Sequence, residues 1–232
     1  LVGLNDEEIL AAMRGDASAL SLEQMLYAAS LTTDAEEMLK FYQMAAVKDP
    51  KCYRAWNDVG YAYLKLGKAD EAMVALETAK ALKNDDIVKN NMGFAALVKG
   101  DYAAATEYFN SMSASTAESK FGLGVIAVTQ GKYDEAVNYF GTEPCFNLAL
   151  AQLLKGDVNK AKVTLDSMRE MCKCGKPSYL KTVVGARLED RDYMLNGLRE
   201  AVGFNADLKA LAKTDLEFAK YWNDDTFKST VQ

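Results

Sequence analysis

Histidine is absent from this chain of 232 residues. The commonest general base of enzymes, the usual partner of Ser and Cys nucleophiles and the commonest zinc ligand are therefore all missing. Cys172 and Cys174 lie two residues apart, but no second Cys pair exists to complete a zinc site. The sequence predicts a protein that is not an enzyme and has no cofactor and no bound metal.

Basic runs and long apolar stretches are also missing. The net charge is −6, the pI is about 4.9 and no Lys or Arg run exceeds two residues. Nucleic acids and anionic membrane surfaces select basic patches, so neither is an expected partner. No apolar stretch approaches the roughly 18 residues of a membrane span, and we expect no direct insertion into a membrane.

Proline is scarce, with three residues, and half of the chain is apolar, as in packed helical proteins. Gly67, Gly100, Gly131 and Gly156 each follow a stretch with helical apolar spacing, at intervals of 33, 31 and 25 residues. A Gly after the last periodic residue supplies the left-handed conformation that ends a helix. A period near 34 predicts stacked helical hairpins.

Small residues recur inside the predicted helices. Gly60, Gly93 and Gly124 occupy one place in the first helix of three successive units. Gly costs about 1 kcal/mol against Ala inside a helix, so its repetition indicates close contact between helices. Large residues recur in the second helices, where they are expected to fill the gap between neighbouring hairpins: Leu76, Phe109, Phe140 and Leu165.

Together these residues resemble the tetratricopeptide repeat pattern, which is carried most fully by Trp56, Val59, Gly60, Tyr63, Gly67, Ala72, Leu76 and Ala79. The resemblance implies an all-α fold, a right-handed α-α superhelix of about five helical hairpins with capping helices. We expect a single solenoid over residues 1–232. Its parts are an N-terminal cap at 1–18, repeats at 19–52, 53–85, 86–116, 117–141 and 142–175, and a degenerate hairpin with a C-terminal cap at 176–232.

Local signals refine the ends of these units. Pro144 suits a first helical position, so the first helix of the fifth repeat is expected to begin there. Residues 207–221 read as one terminal helix, in which Leu208, Leu211, Leu216 and Phe218 are expected to cover the last hairpin.

Two segments carry a narrower resemblance. Residues 20–32 and 215–221 look like envelope proteins of Bacteroides-type bacteria, in which a repeat array often follows an OmpA-like domain that binds peptidoglycan. This resemblance implies a periplasmic or outer-membrane-associated location, with a cytoplasmic one as the alternative. The implied function is a scaffold for protein–protein interaction in a bacterial cell envelope. The alternative is a glycan- or peptidoglycan-associated scaffold whose anchoring domain lies outside this chain.

In this repeat type the first helices line the concave face, which implies where a protein or peptide partner would bind. We call the ten expected contact residues the inner row: Arg54, Asn57, Tyr61, Leu64, Lys65, Asn90, Phe94, Leu97, Phe121 and Val125. The alternative for some of them is packing against the next hairpin. The cations that hold a terminal carboxylate in chaperone-binding repeats are missing, so a chaperone tail is not the expected ligand.

The cysteines leave two alternatives open. Cys145 opens the first helix of the fifth repeat and Cys172 closes the second, and antiparallel hairpins bring such ends together. One alternative is a disulfide from Cys145 to Cys172 or Cys174, and the other is unbridged turn cysteines. Cys52 is expected to stay free in either case.

Overall fold

The computed structural model describes residues 3–232, so Leu1 and Val2 of the predicted N-terminal cap lie outside the described residues. Residues 3–232 form helices and turns without a β-strand. The all-α fold class predicted from the sequence is thereby confirmed. The chain divides into two compact units, Leu1–Ile126 and Ala127–Gln232.

The first unit is a series of helices in which each of the first six packs against the next, and the eighth approaches Phe109 of the seventh at Gly122. Their bounds are α1 Asp6–Arg14, α2 Leu22–Leu31, α3 Ala35–Lys48, α4 Tyr53–Lys65, α5 Ala69–Leu82, α6 Asp86–Val98, α7 Tyr102–Asn110 and α8 Ala117–Thr129. The last three residues of α8 belong to the second unit. The hairpins are α2–α3, α4–α5 and α6–α7.

Glycine turns close the hairpins as predicted. Gly67 and Gly100 have φ angles of 71° and 77°, a left-handed conformation that favours glycine. The next residue in each turn donates its backbone N–H back into the helix, Lys68 to the Tyr63 carbonyl and Asp101 to the Ala96 carbonyl, both at 2.9 Å. These bonds satisfy carbonyls that the helix end would otherwise leave without a partner.

Glycines inside α4 and α6 allow the two helices of a hairpin to approach closely. A Cβ atom at Gly60 would lie 2.6 Å from Leu76 Cγ, and one at Gly93 would lie 2.5 Å from Phe109 Cε1. Leu76 and Phe109 are buried, as the sequence predicted. Gly122 of α8, which the sequence analysis did not single out, faces the other edge of the Phe109 ring, where a Cβ atom would lie 2.5 Å from Phe109 Cε2.

The second unit contains further helical hairpins, α10–α11 and α12–α13. Its helices are α9 Tyr133–Phe140, α10 Phe146–Lys155, α11 Val158–Ser167, α12 Lys176–Arg187, α13 Arg191–Phe204, α14 Leu208–Thr214, a 3-10 helix at Leu216–Tyr221, and α15 Asp225–Thr230. Gly156 ends α10 with a φ of 99°. Gly185 of α12 lies against the backbone of Met194, where a Cβ would come within 2.5 Å of its nitrogen.

Two predicted helix bounds in this unit were wrong. The first helix of the fifth repeat begins at Phe146 rather than Pro144, because Cys145 is its N-cap. The terminal segment is broken at Asp215, whose side chain accepts a hydrogen bond from the Glu217 N–H at 3.0 Å and so starts a new helix. Phe218 is fully buried as expected, whereas Leu216 is 80% exposed and covers nothing.

Neither of the two alternatives for Cys145, Cys172 and Cys174 matches the structure. The structure pairs Cys172 with Cys174, with their Cα atoms 5.3 Å apart, and leaves Cys52 and Cys145 as free thiols. Cys145 instead caps α10, since its Sγ accepts a hydrogen bond from the Leu148 N–H at 3.4 Å. The prediction that Cys52 is unbridged is confirmed.

The close contact between α6 and α7 at Gly93 predicts how a substitution there changes the stability of the protein. Changing Gly93→Ala forces a methyl group into the Phe109 ring, and we expect a loss of about 1–3 kcal/mol in the free energy of unfolding. This loss outweighs the gain of up to about 1 kcal/mol from replacing a helical Gly. Urea unfolding followed by circular dichroism measures it.

The matched control is Gly203→Ala in α13. No heavy atom lies within 4 Å of a Cβ built at Gly203, which is exposed. This variant should therefore keep or slightly raise the stability of the protein, because it gains helix propensity without a clash. Equal effects of the two substitutions would contradict a packing role for Gly93.

Candidate functional site

A pocket of about 500 Å³ lies in the first unit between α4, α6 and the connection from α7 to α8. Its lining joins polar and aromatic side chains from several helices: Tyr42, Asn57, Asp58, Tyr61, Asp86, Ile87, Asn90, Asn91, Met112, Thr116 and Glu118. We call it the Asn57 pocket. A preformed concavity with a few placed polar groups is the usual form of a ligand site.

A chain of side-chain hydrogen bonds forms part of the lining. Asn91 Nδ2 donates to Asn57 Oδ1 at 2.9 Å, and Asn57 Nδ2 donates to Asp58 Oδ1 at 3.0 Å. Asn57 is only 2% exposed and Asn91 is also buried. Buried amides cost free energy unless they are paired, so these bonds fix the orientation of both Asn side chains and of the Asp58 carboxyl.

Asp58 is the electrostatic centre of the pocket. Burial raises the pKa of its carboxyl from 3.8 to about 6, and the Asn57 hydrogen bond and the Arg54 charge offset this only in part. Tyr42, which also lines the pocket, has its pKa raised to about 12, first by burial and then by the negative charge of Asp58. The ionised carboxylate of Asp58 is thus disfavoured as long as no cation pairs with it.

The connection between α7 and α8 is fixed to the first turn of α6. Asp86 accepts a hydrogen bond from the Ser113 N–H at 2.9 Å and forms an ion pair with Lys89 at 3.2 Å. Lys89 also donates to the Ser111 carbonyl at 3.1 Å. The Ser113 hydroxyl also donates to Asp86, and this hydrogen bond, ahead of the contributions of Lys89 and of the Ser113 N–H, lowers the pKa of the Asp86 carboxyl. These contacts place Met112 and Thr116 in the pocket wall.

Arg54 and Lys65, the charged members of the inner row, do not line the pocket and have neighbours of their own. Arg54 forms an ion pair with Glu23 of α2, and both side chains are at least half exposed. Lys65 lies over the Tyr61 ring, with Nζ 5.5 Å from the ring centroid. Such exposed pairs contribute little to stability. They nevertheless give Arg54 a carboxylate partner and Lys65 an aromatic one.

The structure brings only part of the inner row together in this pocket. Asn57, Tyr61 and Asn90 line it, and Tyr61 is 39% exposed. Phe121 on α8 is 43% exposed, whereas the Phe94 ring packs edge-on against Phe109 with centroids 5.2 Å apart. The remaining apolar members, which are partly buried, are Leu64, Leu97 and Val125.

Several pocket residues were not predicted from the sequence. Asn91 follows Asn57 by one repeat, 34 residues on, so the repeat period could have identified it. Nothing in the sequence marked Asp58 and Glu118 as pocket residues, because isolated carboxylates on helices are ordinarily solvated. Met112 and Thr116 lie in a connection that does not follow the repeat pattern, and only the structure places them.

The described residues offer neither a cluster of metal ligands nor a helix that could span a membrane. Within residues 3–232, no group of three or more His, Cys, Asp and Glu side chains is placed to hold a metal ion. None of the helices in that range combines the length and apolar character that crossing a bilayer requires.

Comparison with known families identifies the repeats. Family models described as tetratricopeptide repeat match residues 53–86 and 91–143. These ranges contain α4, α5 and α7 and all of α6 except residues 87–90. No curated protein matches the chain at a significant level. The chain therefore carries tetratricopeptide repeats, and proteins built of such repeats are typically non-catalytic scaffolds for protein interaction.

Solved structures of low sequence identity share the fold. The Cut9 and Hcn1 hetero-tetramer of APC/C matches 98% of this chain with a TM-score of 0.76 and 15% identity, and the match spans 46% of that chain, less than half of its length. A tetratricopeptide repeat protein from Parabacteroides merdae matches 98% of this chain and 91% of that one, with a TM-score of 0.65 and 16% identity. PilW, a type IV pilus biogenesis factor, matches 86% of this chain and 96% of that one, with a TM-score of 0.62 and 18% identity.

The raised pKa of Asp58 makes a prediction about stability and pH. Between the ordinary pKa of 3.8 and the folded value of about 6, the folded protein keeps a proton that the unfolded chain releases. Stability should therefore fall as pH rises through this window. Asp58→Asn keeps the acceptor for Asn57 and removes the charge, so we expect it to be more stable than the parent by about 1–2 kcal/mol at pH 7.5.

That advantage should disappear below about pH 4, where both states of the parent are protonated. Unfolding titrations at several pH values measure it, with Asp70→Asn as the control. Asp70 is 82% exposed and pairs with Lys99 at the surface, so its loss should cost under about 0.5 kcal/mol. A gain for Asp58→Asn that is the same at pH 3.5 and pH 7.5 would contradict the assignment.

Proposed function

We propose that this protein is a scaffold whose inner row, around the Asn57 pocket, binds a peptide segment of a partner protein. The observation that carries the proposal is the pocket itself, which combines hydrogen-bonding side chains with the exposed aromatic ring of Tyr61. Aromatic anchors beside polar groups dominate the energetics of many protein interfaces. The class of fold supports the proposal, since tetratricopeptide repeat proteins act in protein interaction.

In the proposed mechanism, the scaffold presents a preformed, rigid binding surface to its partner. Glycine-mediated packing of α4 on α5 and of α6 on α7 holds the pocket before a partner arrives. The Asn91, Asn57 and Asp58 side chains are already oriented by their hydrogen bonds. Binding then requires little ordering of the scaffold, and the partner segment bears most of the entropy cost.

Tyr61→Ala tests this proposal. The probe is a synthetic peptide selected from a displayed library of random 12-residue peptides on the immobilised, unmodified protein. We expect Tyr61→Ala to weaken its binding by about 10- to 100-fold, since removal of a central aromatic anchor costs about 1–3 kcal/mol. Fluorescence anisotropy titration measures the affinity, and circular dichroism checks that the variant is folded.

The matched control is Phe204→Ala in the second unit. Phe204 is 40% exposed, close to the 39% of Tyr61, but it lies outside the inner row. Its truncation should change affinity by less than about twofold. If Phe204→Ala weakens binding while Tyr61→Ala and Phe121→Ala bind as the parent does, the inner row is not the binding surface.

The proposed setting is a bacterial cell envelope, at the periplasmic or outer-membrane-associated side. The resemblance of residues 20–32 and 215–221 to envelope proteins supports this setting. The fold shared with a pilus biogenesis factor and with the Parabacteroides merdae protein is compatible with it.

Cell fractionation of the native bacterium tests the setting. We expect the full-length protein in the periplasmic or outer-membrane fraction, and co-sedimentation with purified peptidoglycan would support anchoring by a domain outside this chain. Recovery in the cytosolic fraction alone would contradict an envelope role without affecting the peptide-binding experiment.

A further inference from the structure

We infer that the Asn57 pocket takes a basic side chain, the Lys or Arg of a bound peptide, with its charged group on the carboxylate of Asp58. This inference rests on the proposed function and names the chemistry of the partner at that site. It follows from the charges, the hydrogen-bonding groups and the apolar walls of the pocket, taken in turn below.

The charge of the lining has one sign. Asp58, Asp86 and Glu118 are carboxylates, and none of the described residues that line the pocket is Lys or Arg. Asp86 is neutralised by Lys89, but no Lys or Arg among residues 3–232 forms an ion pair with Asp58. The nearest influential cation, Arg54, is already paired with Glu23. The Asp58 carboxylate is thus a partly buried charge that lacks a counter-ion.

The hydrogen-bonding groups point to a donor. Asn90 lines the pocket, and its Oδ1 is buried and accepts no hydrogen bond in the part of the chain that the structure describes. Leaving a buried polar atom unpaired is costly. The ionised Asp58 carboxylate can only accept hydrogen bonds, because it carries no proton to donate. A ligand that carries several N–H donors and a positive charge satisfies both groups, as an ammonium or guanidinium does.

The walls of the pocket fit the stem of such a side chain. Ile87 and Met112 are apolar, and the rings of Tyr42 and Tyr61 add flat aromatic surface. Lys and Arg bury their methylene stems along apolar groups while their heads reach polar partners. Aromatic faces near a cation also attract it. An acidic side chain would instead face Asp58 and Glu118 with like charge, and an apolar one would leave Asp58 without a partner.

Burial of Asp58 makes the preference for a cation strong. Burial disfavours an unpaired carboxylate in this position, and it raises the pKa of Asp58 to about 6. A bound ammonium or guanidinium supplies the missing counter-charge and so favours the ionised form of the carboxyl group. An uncharged side chain of the same shape would leave the Asp58 carboxylate without a counter-ion. The charge of the bound side chain, rather than its shape, should therefore decide the affinity.

The experiment is a double-mutant cycle between peptide and protein. Random 12-residue peptides are selected on the parent protein, and the basic residue of a selected peptide is then replaced by citrulline for Arg or norleucine for Lys. We expect enrichment of Lys or Arg at one position and a loss of at least tenfold in affinity on neutralising it. With Asp58→Asn, the same peptide change should cost less than threefold.

Asp70→Asn is the matched control, because it removes an exposed carboxylate of the same unit outside the pocket. Its peptide-charge dependence should equal that of the parent. Peptides that depend on Tyr61 but carry no enriched basic residue, or whose basic residue does not couple to Asp58, would overturn this inference and leave the scaffold proposal intact. Peptides that bind independently of Tyr61 and Asp58 would overturn both.

Discussion

The structure of the first unit depends on the absence of a side chain at two positions in its helices. Gly60 and Gly93 let Leu76 and Phe109 press against the backbones of α4 and α6, at distances that a Cβ atom would forbid. This contact sets the separation of the helices in each hairpin. Because α4 also packs against α6, the same spacing brings Asn57 and Asn91 within hydrogen-bonding distance, and the pocket forms around that pair.

The repeat architecture was predictable because it is encoded locally. A Gly after a periodic apolar stretch has one physical consequence, a left-handed turn, and Gly67 and Gly100 both adopt it. The predicted helix boundaries failed where a side chain caps the helix, because the periodic pattern of apolar residues carries no information about such caps. Asp215 and Cys145 both act as N-caps, and each moves a helix boundary away from the predicted one.

The residues of the candidate pocket could be anticipated from the sequence only where they follow the repeat. Asn57, Tyr61 and Asn90 were expected because their positions in the first helices of the repeat imply an inward direction. Asp58 shares the pocket instead with residues of the connection from α7 to α8, which Asp86 holds by a hydrogen bond and which does not follow the repeat. The aromatic members of the inner row also differ from one another, since Phe94 packs on Phe109 while Tyr61 stays exposed. Equivalent repeat positions thus need not have equivalent roles.

The hydrogen bond between Asn91 and Asn57 affects the register in which similar hairpins stack on one another. The two amides lie 34 residues apart, so each repeat brings its own polar group to the shared boundary. Apolar surfaces of similar hairpins are nearly interchangeable and tolerate a displacement of one helical turn. A displaced stack would bury both amides without partners, at a cost that apolar contacts do not impose. As with a single buried Asn in a coiled coil, this pair selects one register from several that the hydrophobic residues alone would permit.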